Sequence, residues 1–443
     1  MNRLDRLRPV LPVLLGASLM LSLAMGFRQS LGLFMPALTR DIGITVSDFT
    51  LAIAVQNLAW GFLQPVAGGL ASRWGFRPVM TVGALLYVAG LLVLAAAHGL
   101  VAVTLGAGIL IGASLACTAS ALAMSVASRA VSVELRSTVL GIVSAAGSLG
   151  SLLAAPVGQV LLEGFGWRAG VAGFAVLSLA MLPAAWVAGR VDRVALPPAG
   201  RPAAPSAALA AAPVAAPTAA SPVPSAIPGT DGRRGGDALG ARAALGLALG
   251  NPAFIVMSLA YFVCGMQLVF LTTHLPSYLQ LCGMDPMLSA KALGVIGGFN
   301  VLGSLFFGWA GGRWNKQVLL GAIYLLRSLT LAVYFTAAPT PAGTLVFAAV
   351  MGFLWLGVAP LIAGSVAEMF GLRWQAMIQG VAFMSHQFGS FLGAFGGGVV
   401  FDRLGSYTLA LAVGIALGLL AGVAQIAFAL ARPSGPPAVA LAR

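Results

Sequence analysis

Apolar residues run along this chain in long blocks, broken by short basic or glycine-rich phrases, with no sustained alternation of the kind a half-buried strand needs. About 20 consecutive apolar residues span a hydrocarbon core of roughly 30 Å. On that measure the pattern predicts twelve membrane-crossing helices, at 10–38, 49–72, 78–97, 101–126, 137–162, 169–188, 252–281, 290–311, 318–338, 343–367, 375–401 and 407–431. Between the sixth and seventh the pattern lapses. The phrase "LPPAGRPAAPSAALAAAPVAAPTAASPVPSAIPG" is Ala, Pro and Ser with little to bury, so 191–249 reads as a disordered linker. It divides the chain into a six-helix bundle at 1–190, a second at 250–432 and a tail at 433–443.

The two halves repeat. Pro36 and Pro276, read as closing the first span of each half, lie 276 − 36 = 240 apart; Gly68 and Gly308 lie 308 − 68 = 240 apart; Glu163 and Asp402 lie 402 − 163 = 239 apart. A constant offset predicts two pseudo-symmetric bundles related by an axis along the membrane normal, with any small-molecule site between them near mid-depth.

Composition agrees: 59% of residues are hydrophobic and 8% charged, against roughly 45–50% and about 25% in a soluble domain. A net charge of +13 would suggest nucleic acid in a soluble protein. Here the cations have a different distribution. With the amino terminus inside, one side holds Arg3, Arg6, Arg8, Arg73, Arg77, Arg129, Arg136, Arg190, Arg193, Arg201, Arg233, Arg234, Arg242, Arg313, Lys316, Arg373, Arg432 and Arg443. The other side holds only Arg40, Arg168, Lys291 and Arg403. This is the positive-inside bias, so both termini are expected in the cytoplasm and no nucleic-acid partner is called for. Cys117, Cys264 and Cys282 are too few and too scattered for a disulfide framework or a metal site. Neither a phosphate loop nor a paired catalytic constellation appears, so the sequence calls for no cofactor and no enzyme activity.

An ionisable group at membrane depth is costly and defaults to a functional reading. Of the acids, only Glu368 comes near a span, at its inner end, whereas Arg28 and Arg327 lie inside spans. A cavity with cations and no acids suits an anionic ligand, which brings the missing counter-charge itself. Arg28 is eight residues before Pro36, about 12 Å along a helix. Arg327 shares a helical face with Tyr324 and Tyr334, which leaves a structural role beside a coupling one. His274 stripes with Gln267 and Tyr278, His386 with Gln379 and Ser390, Gln56 with Trp60 and Gln64, and Asn300 with Ser304. Each stripe serves equally as ligand contacts or as hydrogen-bonded glue between helices.

The repeated phrases "GGLASRWGFR" and "GWAGGRWNK" resemble the loop signature of the major facilitator superfamily, Gly-x-Leu-Ala-Asp-Arg-x-Gly-Arg-Arg, after the second and eighth spans. The resemblance implies an all-α membrane protein of twelve helices in two six-helix bundles that rock about a central site. It places Gly68, Arg73, Gly75, Arg77, Gly308 and Arg313 at the cytoplasmic gate. The signature acid is replaced by Ser72 and Gly312, and a later glycine by Asn315, so a latch here must rest on Arg73, Arg77 and helix ends. "FRQSLGLF", "HLPSYL" and "GVIGGFNVLGSLFFG" resemble the monocarboxylate and oxalate/formate branch. Members of that branch typically carry a substrate-binding Arg and, when proton-coupled, an acid in the eighth span, where this chain has Ser304 and Asn300; Arg28 and Gln29 stand where many animal members have a Lys beside a Pro. The expectation is a monomeric secondary transporter of a small organic anion in a bacterial-type inner membrane, with a proton as a candidate co-substrate. Its ligand set is Arg28, Gln29, Gln56, Trp60, His274, Asn300, Ser304 and His386. Export of a drug or amphiphilic metabolite stays open, although "SLLAAPVGQ" matches the drug-antiporter glycine motif poorly, as does a transport-inactive sensor or scaffold.

Overall fold

The computed structural model describes residues 8–193, 240–337 and 339–431; the tail, and the linker apart from its two edges, fall outside them. The described residues form helices α1 (Leu11–Ile42), α2 (Val46–Trp74), α3 (Phe76–Ala95) and α4 (Leu100–Ala130). The long helix Val133–Ser178 is bent at Gly166, whose φ is +78°. That bend separates α5 (133–165) from α6 (167–188). The second half holds α7 (Pro252–Leu281), α8 (Pro286–Ala310), α9 (Lys316–Thr336), α10 (Pro341–Phe370), α11 (Gln375–Leu404) and α12 (Thr408–Ala431). Each predicted span is present within a few residues. At the linker's edges, Gly189–Arg193 is a 3₁₀ turn and Ala241–Leu249 a short helix.

Ten stretches among the described residues are long and apolar enough to cross a membrane, and one of these holds both α5 and α6. The remaining helix, α11, is not among them. Its Gln375, Gln379, His386, Gln387 and Ser390 make it too polar for a lipid-facing span, and all five are buried. Large apolar side chains such as Leu51, Phe62, Val160, Trp186, Val333 and Leu420 are exposed around the outside, the surface a bilayer requires.

Local sequence chemistry sets the helix starts. Thr45 and Asp48 form a capping box at α2, and Asn251–Pro252, Asp285–Pro286 and Thr340–Pro341 each pair a capping side chain with a proline whose missing N–H costs nothing there. Two expectations change. Pro36 and Pro276 do not close their helices, because α1 continues to Ile42 and α7 to Leu281; helical prolines are tolerated where neighbouring helices satisfy the freed carbonyls. Asn315, standing where the signature has Gly, caps α9 by accepting from the amides of Gln317 and Val318.

The halves meet along α2 with α11 and α5 with α8, at what we call the basic end, where Arg73, Arg77, Arg129, Arg136, Arg313 and Arg373 gather. A Cβ on Gly68 would fall 2.4 Å from the Ala376 carbonyl carbon, and one on Gly308 would fall 2.3 Å from the Gly141 Cα. The two repeat-related glycines thus permit backbone contact at symmetry-related seams.

The latch differs from the one expected. Arg73 is exposed, and Arg77 turns back within its own half, its guanidinium carbon 4.1 Å from the Trp186 ring centroid. Asp192 caps the start of α3 by accepting from the amides of Phe76 (2.8 Å) and Arg77 (3.0 Å) beside Gly75, whose φ of +94° makes the one-residue turn. Between halves, Ser72 Oγ donates to the Arg373 carbonyl at 2.7 Å. Arg129 Nη2 donates to the Leu372 and Arg373 carbonyls at 3.1 and 2.9 Å, and Gln375 Nε2 donates to Ser128 Oγ at 3.0 Å. A cation set on carbonyls just beyond the end of α10 also answers that helix's dipole. Hydrogen bonds to a charged group are worth about 1.5–3 kcal/mol each. Replacing Arg129 with glutamine is therefore expected to raise, by about tenfold or more, the maleimide reactivity of a cysteine placed at Met377, which is buried in this seam. Unchanged reactivity would mean that other contacts hold the seam.

Candidate ligand site between the bundles

Arg28 lies near the middle of α1, half-buried, where Phe27 and Leu31 anchor the helix in the core. Its Nη2 donates to Asn57 Oδ1 on α2 at 2.5 Å, its guanidinium carbon lies 5.2 Å from the Trp60 ring centroid, and its Nε is buried without a partner. Asn57 in turn accepts from Gln387 Nε2 on α11, at 3.2 Å on its backbone oxygen and 3.4 Å on its side-chain oxygen. Gln387 Oε1 sits 3.2 Å from His386 Nδ1, and the His386 ring lies against Phe383 and Tyr261, with centroids 5.6 and 4.5 Å away. Trp60 and Phe383 face each other at 4.6 Å. A continuous polar chain therefore runs from Arg28 through Asn57 and Gln387 to His386, crossing between the halves at mid-depth.

No carboxylate joins this chain among the described residues. Asp41, Asp48, Glu163, Asp285 and Asp402 lie near the helix ends opposite the basic end, and Glu134, Asp192 and Glu368 lie at the basic end itself. Asp41 is paired with Arg168 at 3.2 Å and Glu368 with Lys316 at 2.5 Å. Arg28 therefore faces a neutral acceptor and an aromatic ring, an arrangement that an incoming anion would complete. Among the described residues no three His, Cys, Asp or Glu come together as metal ligands.

The structure separates the predicted ligand set. Arg28, Trp60 and His386 come together, whereas Gln29, one residue on, is exposed. Gln56 is buried against the first bundle, where its Nε2 donates to the Ala107 carbonyl at 2.6 Å in the π-helical turn Thr104–Leu110. A π turn leaves such a carbonyl free to accept. Gln64 likewise donates to the Ala116 carbonyl and accepts from Trp60 Nε1. Asn300 Oδ1 accepts from the Leu356 amide where α10 breaks between Trp355 and Val358. Ser304 Oγ meets Ser144 Oγ at 3.2 Å across the α5–α8 seam. His274 Nε2 lies 3.0 Å from the Ala394 carbonyl, packed against Phe270 and Tyr407 inside the second bundle, away from Arg28. Arg327 is fully buried, its Nη1 2.9 Å from Cys264 Sγ and its Nε unpartnered. Asn57 and Gln387 lie outside the predicted ligand set. They sit one residue beyond Gln56 and His386, so the one signal available was their adjacency to residues already singled out.

A separate cavity of about 260 Å³ opens between α7, α11 and α12, lined almost wholly by apolar atoms of residues such as Met266, Phe270, Leu392, Leu409 and Val413. It holds none of the cations.

A sequence model of the Major Facilitator Superfamily matches residues 17–394. Among curated relatives, Monocarboxylate transporter 11 of Mus musculus is 36% identical over 165 residues, which is 36% of this chain and 36% of that protein. The matched segment thus spans about a third of that relative's length. Monocarboxylate transporter 13 of Bos taurus is 26% identical over 416 residues, 93% of this chain and 87% of that one. Among solved structures, the transporter FucP in the outward conformation superposes with a TM-score of 0.67 at 14% identity, covering 96% of this chain and 99% of FucP. The human organic anion transporter MFSD10 gives 0.62 at 16% identity, covering 96% of this chain and all (100%) of that one. At these identities the two superpositions show a shared fold alone.

Proposed function

Because the chain belongs to the Major Facilitator Superfamily and is a multi-pass membrane transporter, we propose that it carries a small, monocarboxylate-like organic anion by alternating access. One observation carries the reading: a guanidinium at mid-depth between the bundles, donating to a neutral amide, with no carboxylate in its surroundings among the described residues. A carboxylate there accepts two parallel hydrogen bonds from Arg28 and neutralises it. Relatives named as monocarboxylate transporters support the substrate class. The basic end faces the cytoplasm of a bacterial-type inner membrane, with both termini on that side, in accord with the positive-inside bias. The contacts there make this a state closed to the cytoplasm.

Among the described residues no acid lies in the interior to serve as a proton-binding carboxylate, so a coupled proton would ride on His386 or on the substrate. The apolar cavity of the second bundle supports a second reading, export of an amphiphile.

Thermal melting of the detergent-purified protein separates the two, because a ligand that binds the folded state alone raises the melting temperature. With formate, acetate, lactate, pyruvate and oxalate beside cationic amphiphiles, the expected result is stabilisation by at least one carboxylate at concentrations above its Kd. A saturating ligand at 100 times Kd contributes about 2.7 kcal/mol. Stabilisation by the amphiphiles alone would sink the anion reading and favour export.

A further inference from the structure

The bridge between the halves and the parking place of the substrate-binding guanidinium fall on one residue, Asn57. Asn57 Oδ1 accepts from Arg28 Nη2 at 2.5 Å and from Gln387 Nε2 at 3.4 Å, while the Asn57 backbone oxygen accepts from Gln387 at 3.2 Å. The direction of these bonds is forced. A guanidinium donates only, so the oxygen of the Asn57 amide must face Arg28. Gln387 then has to present its own NH₂ to Asn57, which leaves its oxygen toward His386 Nδ1. Gln387 also lies on a bare stretch of α2: a Cβ on Gly61 would fall 2.7 Å from the Gln387 Cβ. The contact is close, and its side-chain bond, though not the one to the backbone oxygen, hangs on the orientation of one carboxamide.

From this geometry, and resting on the anion reading above, we infer that Asn57 is a substrate-operated switch, through which a carboxylate bound to Arg28 loosens the mid-depth bridge to Gln387 by removing its side-chain bond. A carboxylate offers acceptors only. On Arg28 it replaces the Asn57 oxygen, since a charge-assisted pair outcompetes a neutral acceptor. Asn57 can then satisfy itself beside the anion only by turning its NH₂ toward it. That rotation swings the side-chain oxygen away from Gln387 and sets donor against donor. The empty carrier keeps both Gln387 bonds, whereas in the loaded carrier the side-chain bond is lost and a donor faces Gln387 Nε2, so substrate binding weakens the bridge and lowers the barrier to parting α2 from α11. Asn57 and Gln387 act as positioning residues in this scheme, and the bridge and the basic-end contacts together set one opening equilibrium, so loosening the bridge raises the exposed fraction of the whole seam.

The test uses the full chain in proteoliposomes, with a cysteine at Met377 reporting exposure of the α2–α11 seam to a membrane-permeant maleimide, above the labelling of Cys117, Cys264 and Cys282 in the protein without it. The whole bridge is removed with its shape kept by Gln387→Met, and its side-chain half alone, independently, by Asn57→Leu. One hydrogen bond between neutral groups is worth about a three- to tenfold shift in an equilibrium. Gln387→Met is therefore expected to raise labelling without ligand by about that factor, and a carboxylate that raises wild-type labelling should add little more. Asn57→Leu, which keeps the backbone bond, should show a smaller rise in basal labelling and no carboxylate response. Melting temperatures near that of the wild type would confirm that both variants fold. Basal labelling unchanged in both variants, while the wild type responds to carboxylate, overturns the switch alone. Raised labelling in the variants with no carboxylate moving the wild type overturns the switch by removing its trigger, and points to failure of the anion reading itself.

Discussion

Replacing Arg28 with glutamine is expected to abolish saturable carboxylate uptake and to erase carboxylate-induced thermal stabilisation, with expression and folding retained. Two charge-assisted hydrogen bonds between a guanidinium and a carboxylate are worth about 3–6 kcal/mol together, and about 1.4 kcal/mol corresponds to a factor of ten. Affinity should therefore fall by at least about 100-fold. Glutamine reaches less far, donates one NH₂ and carries no charge, so the anion would enter the site without a counter-charge. Folding should survive because Arg28 is half-buried and rests against one amide and one ring face, with no acid left stranded by its loss. Uptake and melting measured side by side with the wild type decide the matter. Full uptake by the variant would remove the central claim and leave Arg28 as a structural cation.

A Gly308→Leu substitution is expected to reduce transport to background for a different reason. A Cβ at this position would lie 2.3 Å from the Gly141 Cα and 2.8 Å from its N, and backbone cannot yield as the end of a flexible side chain can. Overpacking inside one core typically costs about 1–3 kcal/mol. This contact, however, joins two separate bundles, and they can relieve the clash by standing apart. The variant should fold, remain open at the basic end and fail to complete the cycle, with a cysteine at Met377 labelled rapidly whether or not carboxylate is present. Transport at the wild-type rate, or Met377→Cys labelling unchanged, would show that this state of the α5–α8 seam is not part of the cycle.

Gly308 was legible in the sequence as the partner of Gly68 at an offset of 240 residues, because a transporter built from two like bundles repeats its closest contacts. The latch was not. Sequence placed cations at Arg73 and Arg77, but the bonds between halves at this end are made by Ser72, Arg129 and Gln375. Ser72 replaces the acid of the signature, and the carbonyls it and Arg129 meet belong to a turn some 240–300 residues away along the chain. No local pattern marks a backbone carbonyl as an acceptor.

The candidate site divides in the same way. Arg28 announced itself, since a cation within an apolar block is costly wherever the helix faces. The polar stripes were visible as stripes, but a helix has two or more buried faces, and a period of 3.6 residues does not say which faces the other bundle. Gln56 and Gln64 turn toward α4 and act as glue, while Asn57, about 100° further round α2, turns toward α11.

By itself, then, the sequence determined the spans, their division into two repeated halves, the sidedness of the charges and the presence of a buried cation without an acid. Each follows from a property summed along the chain: hydrophobic length, offset, charge count. Tertiary structure alone decided that Asn57 holds Arg28, that Gln387 reaches it from the other half, and that Arg129 seals the basic end. Those are choices of partner among neutral hydrogen-bonding groups whose local sequence signals are alike, and only the packing of one bundle on the other distinguishes them.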